Sequence, residues 1–238
     1  MRCILFCLLL SMAAIGQEKT VVSADRVFAK SDKVPEMEKA LAAHAQHYHT
    51  GNWKWRIYEI LSGPDAGGYQ INEGPNTWDV IDKRADLGAA HTADWAKSMG
   101  PLITNAGSIS FAVYEPTLST VQLTDYSDKI MISRMFPKPG MIAAARDLVV
   151  KLKKVWESSG ETVAVYSALA SGPPQFITVT RMKTGLRELD PSVTKPMAER
   201  FDAVYGAGAW QTYLADYAKC VDNRWSELLT YRADLSSK

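Results

Sequence analysis

A hairpin occurs twice in this chain, and its recurrence limits what the chain can fold into. Residues 53–82 read WKWRIYEILSGPDAGGYQINEGPNTWDVID, and residues 162–190 read TVAVYSALASGPPQFITVTRMKTGLRELD. In each copy an alternating run stops at Ser-Gly-Pro, a second run follows, and a polar stretch leads to Asp82 or Asp190. Gly and Pro suit such a turn because Pro presets φ and Gly admits positive φ. Ser62 and Ser171 have no histidine or acid at a nucleophile's spacing, so they read as turn residues. Asp82 and Asp190 precede helical patterns and read as caps. Asp94-Trp95-Ala96 matches Ala209-Trp210-Gln211, and residues 112–119 align with 229–236 without a gap. Matches recurring in the same order argue for an internal duplication.

The periodicity predicts one order of elements in both halves. Residues 26–30 form a short strand. Pro35 opens a helix whose stripe is Met37, Leu41, Ala45 and Tyr48, and Gly51 stops it. Trp53, Trp55 and Ile57 alternate with Lys54, Arg56 and Tyr58, which is strand spacing and puts the tryptophans opposite Tyr58. A second strand carries Tyr69, Ile71 and Glu73. A helix over 82–99, with a break near Thr92, and a strand over 108–115 complete the half. Residues 130–136, a helix through Met141, Ala145, Leu148, Leu152 and Val155, the second hairpin, a helical stretch over 191–222 broken at 206–208, and a strand over 225–232 repeat it. The expected class is α+β: two tandem ferredoxin-like βαββαβ modules, residues 24–117 and 129–236, joined by a linker at 118–128. Each sheet has one face without helices, and two modules cover each other there, sheet to sheet.

This arrangement resembles the dimeric α/β-barrel superfamily in a fused form, a pseudo-dimeric barrel in which one chain supplies both halves. Antibiotic-biosynthesis-type monooxygenases that need no cofactor, heme-degrading monooxygenases and NIPSNAP-like proteins belong to that superfamily. The resemblance covers most of residues 24–236 and rests on element order, so it implies the fold more than any activity.

Residues 1–16 carry a basic start at Arg2, an apolar run and the small residues Ala14 and Gly16, the pattern of a cleaved signal peptide. The expectation is export by the Sec route to a periplasmic or extracellular location. Cys3 and Cys7 leave with the leader, and Cys220 alone remains, without a partner for a disulfide. In its helical pattern Cys220 reads as a buried small hydrophobe. With 27 basic against 26 acidic residues, charge gives no case for a nucleic-acid partner. No later stretch is apolar enough for a membrane span. A chain holding both barrel halves is expected to be a monomer or a weak homodimer.

All four histidines, His44, His47, His49 and His91, lie in the first half. His44 falls within the helical stripe, and His47 and His49 fall at its margins as surface imidazoles, too spread for one metal site on a helix. No metal site is therefore expected. His91 shares a helical stripe with Leu87 and Trp95. The candidate ligand-binding residues are His44, Trp78, His91 and Trp95, with His91 the candidate catalytic base. No cofactor is expected. The superfamily's heme-degrading members supply the alternative, in which His91 and Trp78 would be the iron ligand and pocket wall. Glu59 and Glu73 sit on adjacent strands without a glycosidase context. Three readings follow: a small-molecule binder with an aromatic cavity in the first module, a cofactor-independent monooxygenase-like enzyme, and a ligand-free interaction module pairing through exposed sheet edges.

Overall fold

The computed structural model describes residues 18–84, 87–168 and 170–238. The expected leader lies outside the described residues. The elements run β1 (Val21–Val27), α1 (Val34–Tyr48), β2 (Trp55–Ile60), β3 (Tyr69–Asn76), α2 (Trp78–Asp82), α3 (Ala89–Asp94) and β4 (Ser108–Tyr114). Then come β5 (Lys129–Pro137), α4 (Ile142–Ser159), β6 (Val163–Ala168), β7 (Gln175–Met182), α5 (Met197–Tyr205), α6 (Ala209–Cys220) and β8 (Val221–Tyr231).

Each half lays its strands down in the same spatial order, β4-β1-β3-β2 and β8-β5-β7-β6, and the two sets close into one antiparallel barrel through β2–β8 and β4–β6. Strand alternation then decides what each residue faces. Odd positions of β2 and β3, such as Trp55, Ile57 and Ile71, pack outward against Met37, Leu41 and Ala45 of α1. Even positions such as Tyr58 and Ile60 point into the barrel with Ile130, Ile132, Ile177 and Leu229. A third cluster, outside the second half, packs Leu148, Val149 and Trp156 against Phe201 and Tyr213. Closure leaves no free sheet edge among the described residues, so the reading that relied on exposed edges loses its basis.

The two seams match each other bond by bond. Ser62 Oγ accepts from Leu228 N–H at 3.0 Å, and Ser171 Oγ accepts from Phe111 N–H at 2.9 Å. After β4, Glu115 N–H donates to Val165 O (2.8 Å), and Ser119 Oγ accepts from Val165 N–H (2.8 Å). After β8, Arg232 N–H donates to Ile57 O (2.9 Å), and Ser236 Oγ accepts from Ile57 N–H (2.9 Å). The serines therefore satisfy backbone donors where one half meets the other. Gly63 and Gly172, at φ +94° and +82°, make the turns that present Ser62 and Ser171.

Several local expectations change. Trp53 lies in a 3-10 turn, Gly51–Trp53, and β2 begins at Trp55. No helix runs continuously over 82–99, and the break is not at Thr92, which lies inside α3. Thr77 caps α2, its Oγ accepting from Val80 N–H at 3.1 Å, and Asp82 ends that helix rather than starting one. Gly88, at φ +109°, opens α3, and residues Trp95–Met99 wind as a π-helical turn. Asp190 does not N-cap a helix either: its carboxylate accepts from Ser192 N–H at 2.8 Å in a turn, and the next helix, α5, begins at Met197 after Pro196. The expected linker begins as buried structure, since Leu118 and Ser119 form part of a seam. Cys220 is buried at the end of α6. No described helix is long and apolar enough to cross a membrane.

Replacing Ser236 or Ser119 by Ala strands a buried N–H and should cost about 1–3 kcal/mol in each case. Ser226→Ala removes only half of an exposed hydroxyl pair with Ser133 and should stay within roughly 0.5 kcal/mol. Urea unfolding of the three variants checks the contrast, and equal effects would count against the seam assignment.

Candidate functional site

Three histidines expected to be scattered meet beneath α1. His44 points inward from the α1 stripe and is 1% exposed. His49 is the C-cap residue of α1, where the chain turns toward β2. That turn swings its ring inward, and it is fully buried, not a surface imidazole. His91 comes from α3 on the opposite side. One ligand-capable atom from each of the three lies within 4.8 Å of the others. The expectation that their spread bars a shared site fails because it treated His49 as part of the straight helix.

Each imidazole is held by its surroundings. His44 Nδ1 lies 2.7 Å from Asp94 Oδ2. A carboxylate only accepts, so His44 Nδ1 carries the proton and Nε2 carries the lone pair. That Nε2 is buried without a hydrogen-bond partner among the described residues. His49 Nδ1 faces Trp53 O at 3.2 Å and Glu73 Oε2 at 3.4 Å, both acceptors, so its Nε2 also presents a lone pair. His49 Nε2 lies 3.3 Å from His91 Nε2. Burial pushes both His44 and His49 below the ordinary histidine pKa, against the opposing pull of Asp94 and Glu73 respectively, and so favours neutral rings. Accepting from His44 in turn keeps the Asp94 carboxyl below its usual value.

An aromatic wall surrounds the cluster. His49 stacks on Trp55, with ring centres 3.4 Å apart. Trp95 lies 5.1 Å from His44 and edge-on to Trp55. Tyr48 packs beside both His44 and His91, with ring centres 5.0 and 5.4 Å away. Of the residues expected to bind a ligand, His44, His91 and Trp95 therefore come together. Trp78 does not. It opens α2, is 42% exposed, and packs on Phe111. Heme does not fit here, because His49 occupies the ligating side of His91 and Trp78 faces elsewhere.

Glu73 joins this cluster to a neighbouring cavity of about 120 Å³. Its Oε2 accepts from Trp55 Nε1 and Arg84 Nη2, each at 3.0 Å. It does not meet Glu59, which pairs with Arg232. Ser23, Asp25, Asn76 and Arg84 line the cavity. Asp25 Oδ1 and Asn76 Oδ1 are buried there without donors among the described residues. Burial and the nearby Glu73 push Asp25 up to about 6, with Arg84 opposing. Sequence reasoning missed His49, Asp25 and Asn76 and gave Glu73 no place in the site. The one signal was that outward positions of β1 and β3, which should be apolar, carry Asp25 and Glu73.

No protein-family model and no curated protein matches this chain. Solved structures do. An anthrone oxidase-like protein superposes with a TM-score of 0.56 at 12% identity over 90% of this chain and 92% of its own. Putative monooxygenases superpose similarly: that of Lactobacillus acidophilus NCFM at 0.50 (12% identity, covering 92% of this chain and 96% of that one), and that of Fusobacterium nucleatum subsp. nucleatum ATCC 25586 at 0.53 (8%, covering 89% and 91%). At such identities the likeness is one of fold, an α+β chain closed into an eight-stranded barrel.

Asp25 supplies a pH test. In the folded chain it holds its proton to about pH 6, whereas the unfolded chain releases it near 3.8. Stability therefore falls as pH rises from about 4 to 6 and the deficit persists above. Asp25→Asn should match the parent near pH 4 and exceed it by up to about 3 kcal/mol at pH 7. Urea unfolding across that range checks it, and a difference independent of pH would contradict the assignment.

Proposed function

We propose that this is an exported metal-dependent protein whose centre is a transition-metal ion held by His44, His49 and His91. The single observation carrying this is the facing of His49 Nε2 and His91 Nε2 at 3.3 Å while Nδ1 of His49 is committed to acceptors. Two ligands of a tetrahedral site with metal–nitrogen bonds of about 2.0–2.1 Å sit about 3.4 Å apart. His44 Nε2 is the third donor, bare and buried. Asp94 on His44 and Glu73 with Trp53 O on His49 are the outer partners that orient metal-binding imidazoles. Three imidazole nitrogens suit zinc, copper, iron or nickel, and they leave coordination positions open to water or substrate.

The adjoining cavity supports an enzymatic reading. Asp25 Oδ1 and Asn76 Oδ1 there are positioned to accept from a hydroxyl or amide N–H, and Asp25, with its pKa near neutrality, suits a general base. The ligand class is a small polar or phenolic molecule, bound by the aromatic wall and these acceptors. The names of the structural neighbours support a second reading, a cofactor-independent monooxygenase-like enzyme using the same histidines as bases. The repeated strand order and seams support the finer fold reading, a fused pair of ferredoxin-like modules of the dimeric α/β-barrel type.

Titration of the metal-free protein with Co²⁺ or Zn²⁺ tests the metal reading. One equivalent should bind, with visible cobalt bands of a nitrogen-rich low-coordinate site. At a hundred times Kd the metal should add about 2.7 kcal/mol to stability. His44→Ala, His49→Ala and His91→Ala should each abolish tight binding, and Asp94→Asn should weaken it roughly 10–100-fold. Failure to bind one equivalent would leave the cofactor-independent reading.

A further inference from the structure

Two cavities lie on opposite faces of the sheet, and they differ in how their charges are answered. One, of about 100 Å³, is inside the barrel and is reached by Arg56, Arg134 and Arg181. Each of these has a partner: Arg134 meets Gln175 and Glu227, Arg181 donates to the carbonyls of Gln122 and Leu123, and Arg56 lies over the Tyr126 ring. The other is the cavity of about 120 Å³ on the outer face, beside the histidines. It has space for several waters at about 10–15 Å³ each.

Backbone register builds the wall of this outer cavity. Ser23 and Asp25 are successive outward residues of β1, with Ser23 opposite Phe111 of β4 and Asp25 opposite Ile109. Opposed side chains of an antiparallel pair have Cβ atoms about 4.5–5.5 Å apart, and diagonal neighbours remain within reach of aromatic rings. Ile109 and Phe111 therefore stand beside Asp25. Ile109 is 67% exposed, the most exposed large apolar side chain among the described residues, and Phe111 packs against Trp78.

The polar side of the cavity is unevenly paired. Glu73 meets Arg84 at 3.0 Å, and Arg84 also lies 5.2 Å from the Trp53 ring. Asp25 has neither an ion pair nor a hydrogen bond with any described residue, and the Ser23 hydroxyl has none either. Asn76, 2% exposed, lines the same cavity with its Oδ1 unpartnered. With its pKa at about 6, Asp25 is ionised at neutral pH. A buried carboxylate without partners is costly, and a cation that donates hydrogen bonds relieves it. An ammonium group has three donors, enough to serve Asp25 and Ser23 together, whose backbones are about 6.6 Å apart along one strand face. The apolar side chains beside them contribute nothing to a bare ion and favour an ion with an apolar body.

We propose that this outer cavity binds a primary amine, its ammonium group on Asp25 and Ser23 and its apolar body against Ile109 and Phe111. The assignment names the ligand class of the cavity described above and rests on that reading of the cavity, not on the metal.

Calorimetric titration of the metal-free whole protein at pH 7 with benzylamine, benzyl alcohol, methylammonium and benzoate tests it. Benzylamine should bind saturably, the alcohol and methylammonium roughly tenfold more weakly or less tightly still, and benzoate not measurably. Asp25→Asn, expected to be at least as stable as the parent at this pH, should weaken benzylamine roughly tenfold or more. Ile109→Ala, at an exposed position, should fold normally, weaken benzylamine roughly 3–10-fold and leave methylammonium unchanged. Lack of saturation, equal affinity for benzyl alcohol, or unchanged benzylamine affinity in Asp25→Asn would overturn the proposal. Cobalt binding without amine binding would remove the amine site and leave the metal centre, and amine binding without cobalt binding would do the reverse.

Discussion

Closure of the barrel at its two seams is the constraint on which the rest depends. A four-stranded sheet with helices on one face has a bare face and two open edges. Joining β2 to β8 and β4 to β6 removes all four edges at once. The bonds that do this are few and repeated. Ser62 and Ser171 reach across from the hairpin turns, and Ser119 and Ser236 reach back from the segments after the last strand of each half. Each supplies an acceptor to a backbone donor that the neighbouring strand leaves unmet, so a handful of hydroxyls fixes the register in which inside and outside are defined.

That partition gives a single strand two chemistries. On β3, Glu73 faces outward to His49, Trp55 and Arg84, while Gln70 and Asn72 face the barrel interior. The outer face gathers the imidazoles of His44, His49 and His91, with Asp94 on His44 and Glu73 beside His49. The inner face carries the guanidinium groups of Arg56, Arg134 and Arg181. Because side chains alternate along each strand, the two sets face opposite sides of the sheet.

The fold was legible because its signals are local or repeated. Strand alternation at Trp55, Ile57 and Tyr58 placed the tryptophan opposite the tyrosine, and the break at Gly206 and Gly208 fell where expected. The candidate site was legible in part. His44, His91 and Trp95 were found because they lie on inward stripes. His49 was not, because its role comes from a turn at the end of α1 that helical periodicity cannot represent. Trp78 was misplaced because the stretch leading to Asp82 was read as polar chain, whereas Thr77 caps a short helix there whose first residue, Trp78, is exposed. The barrel cavity was invisible for another reason. It is made by residues from both halves, and no window of sequence contains Arg56, Arg134 and Arg181 together.

The two halves show what the first gives up to hold a site. Trp95 and Trp210 occupy matching positions in the repeat. Around Trp210 the second half packs Phe201, Tyr213 and Trp156 into a dense apolar core, with Trp210 stacked on Tyr213. Around Trp95 the first half has three imidazoles, a bare buried nitrogen and a π-helical turn. Extra π-type turns and unsatisfied buried polar atoms are unfavourable for folding and concentrate at functional sites. The core around Trp210 carries unpartnered polar atoms too, the buried hydroxyls of Tyr213 and Tyr217, but no cluster of imidazoles, and barrel closure ties the two halves together. The two halves thus fill the same position differently: around Trp95 with imidazoles, around Trp210 with apolar and aromatic packing.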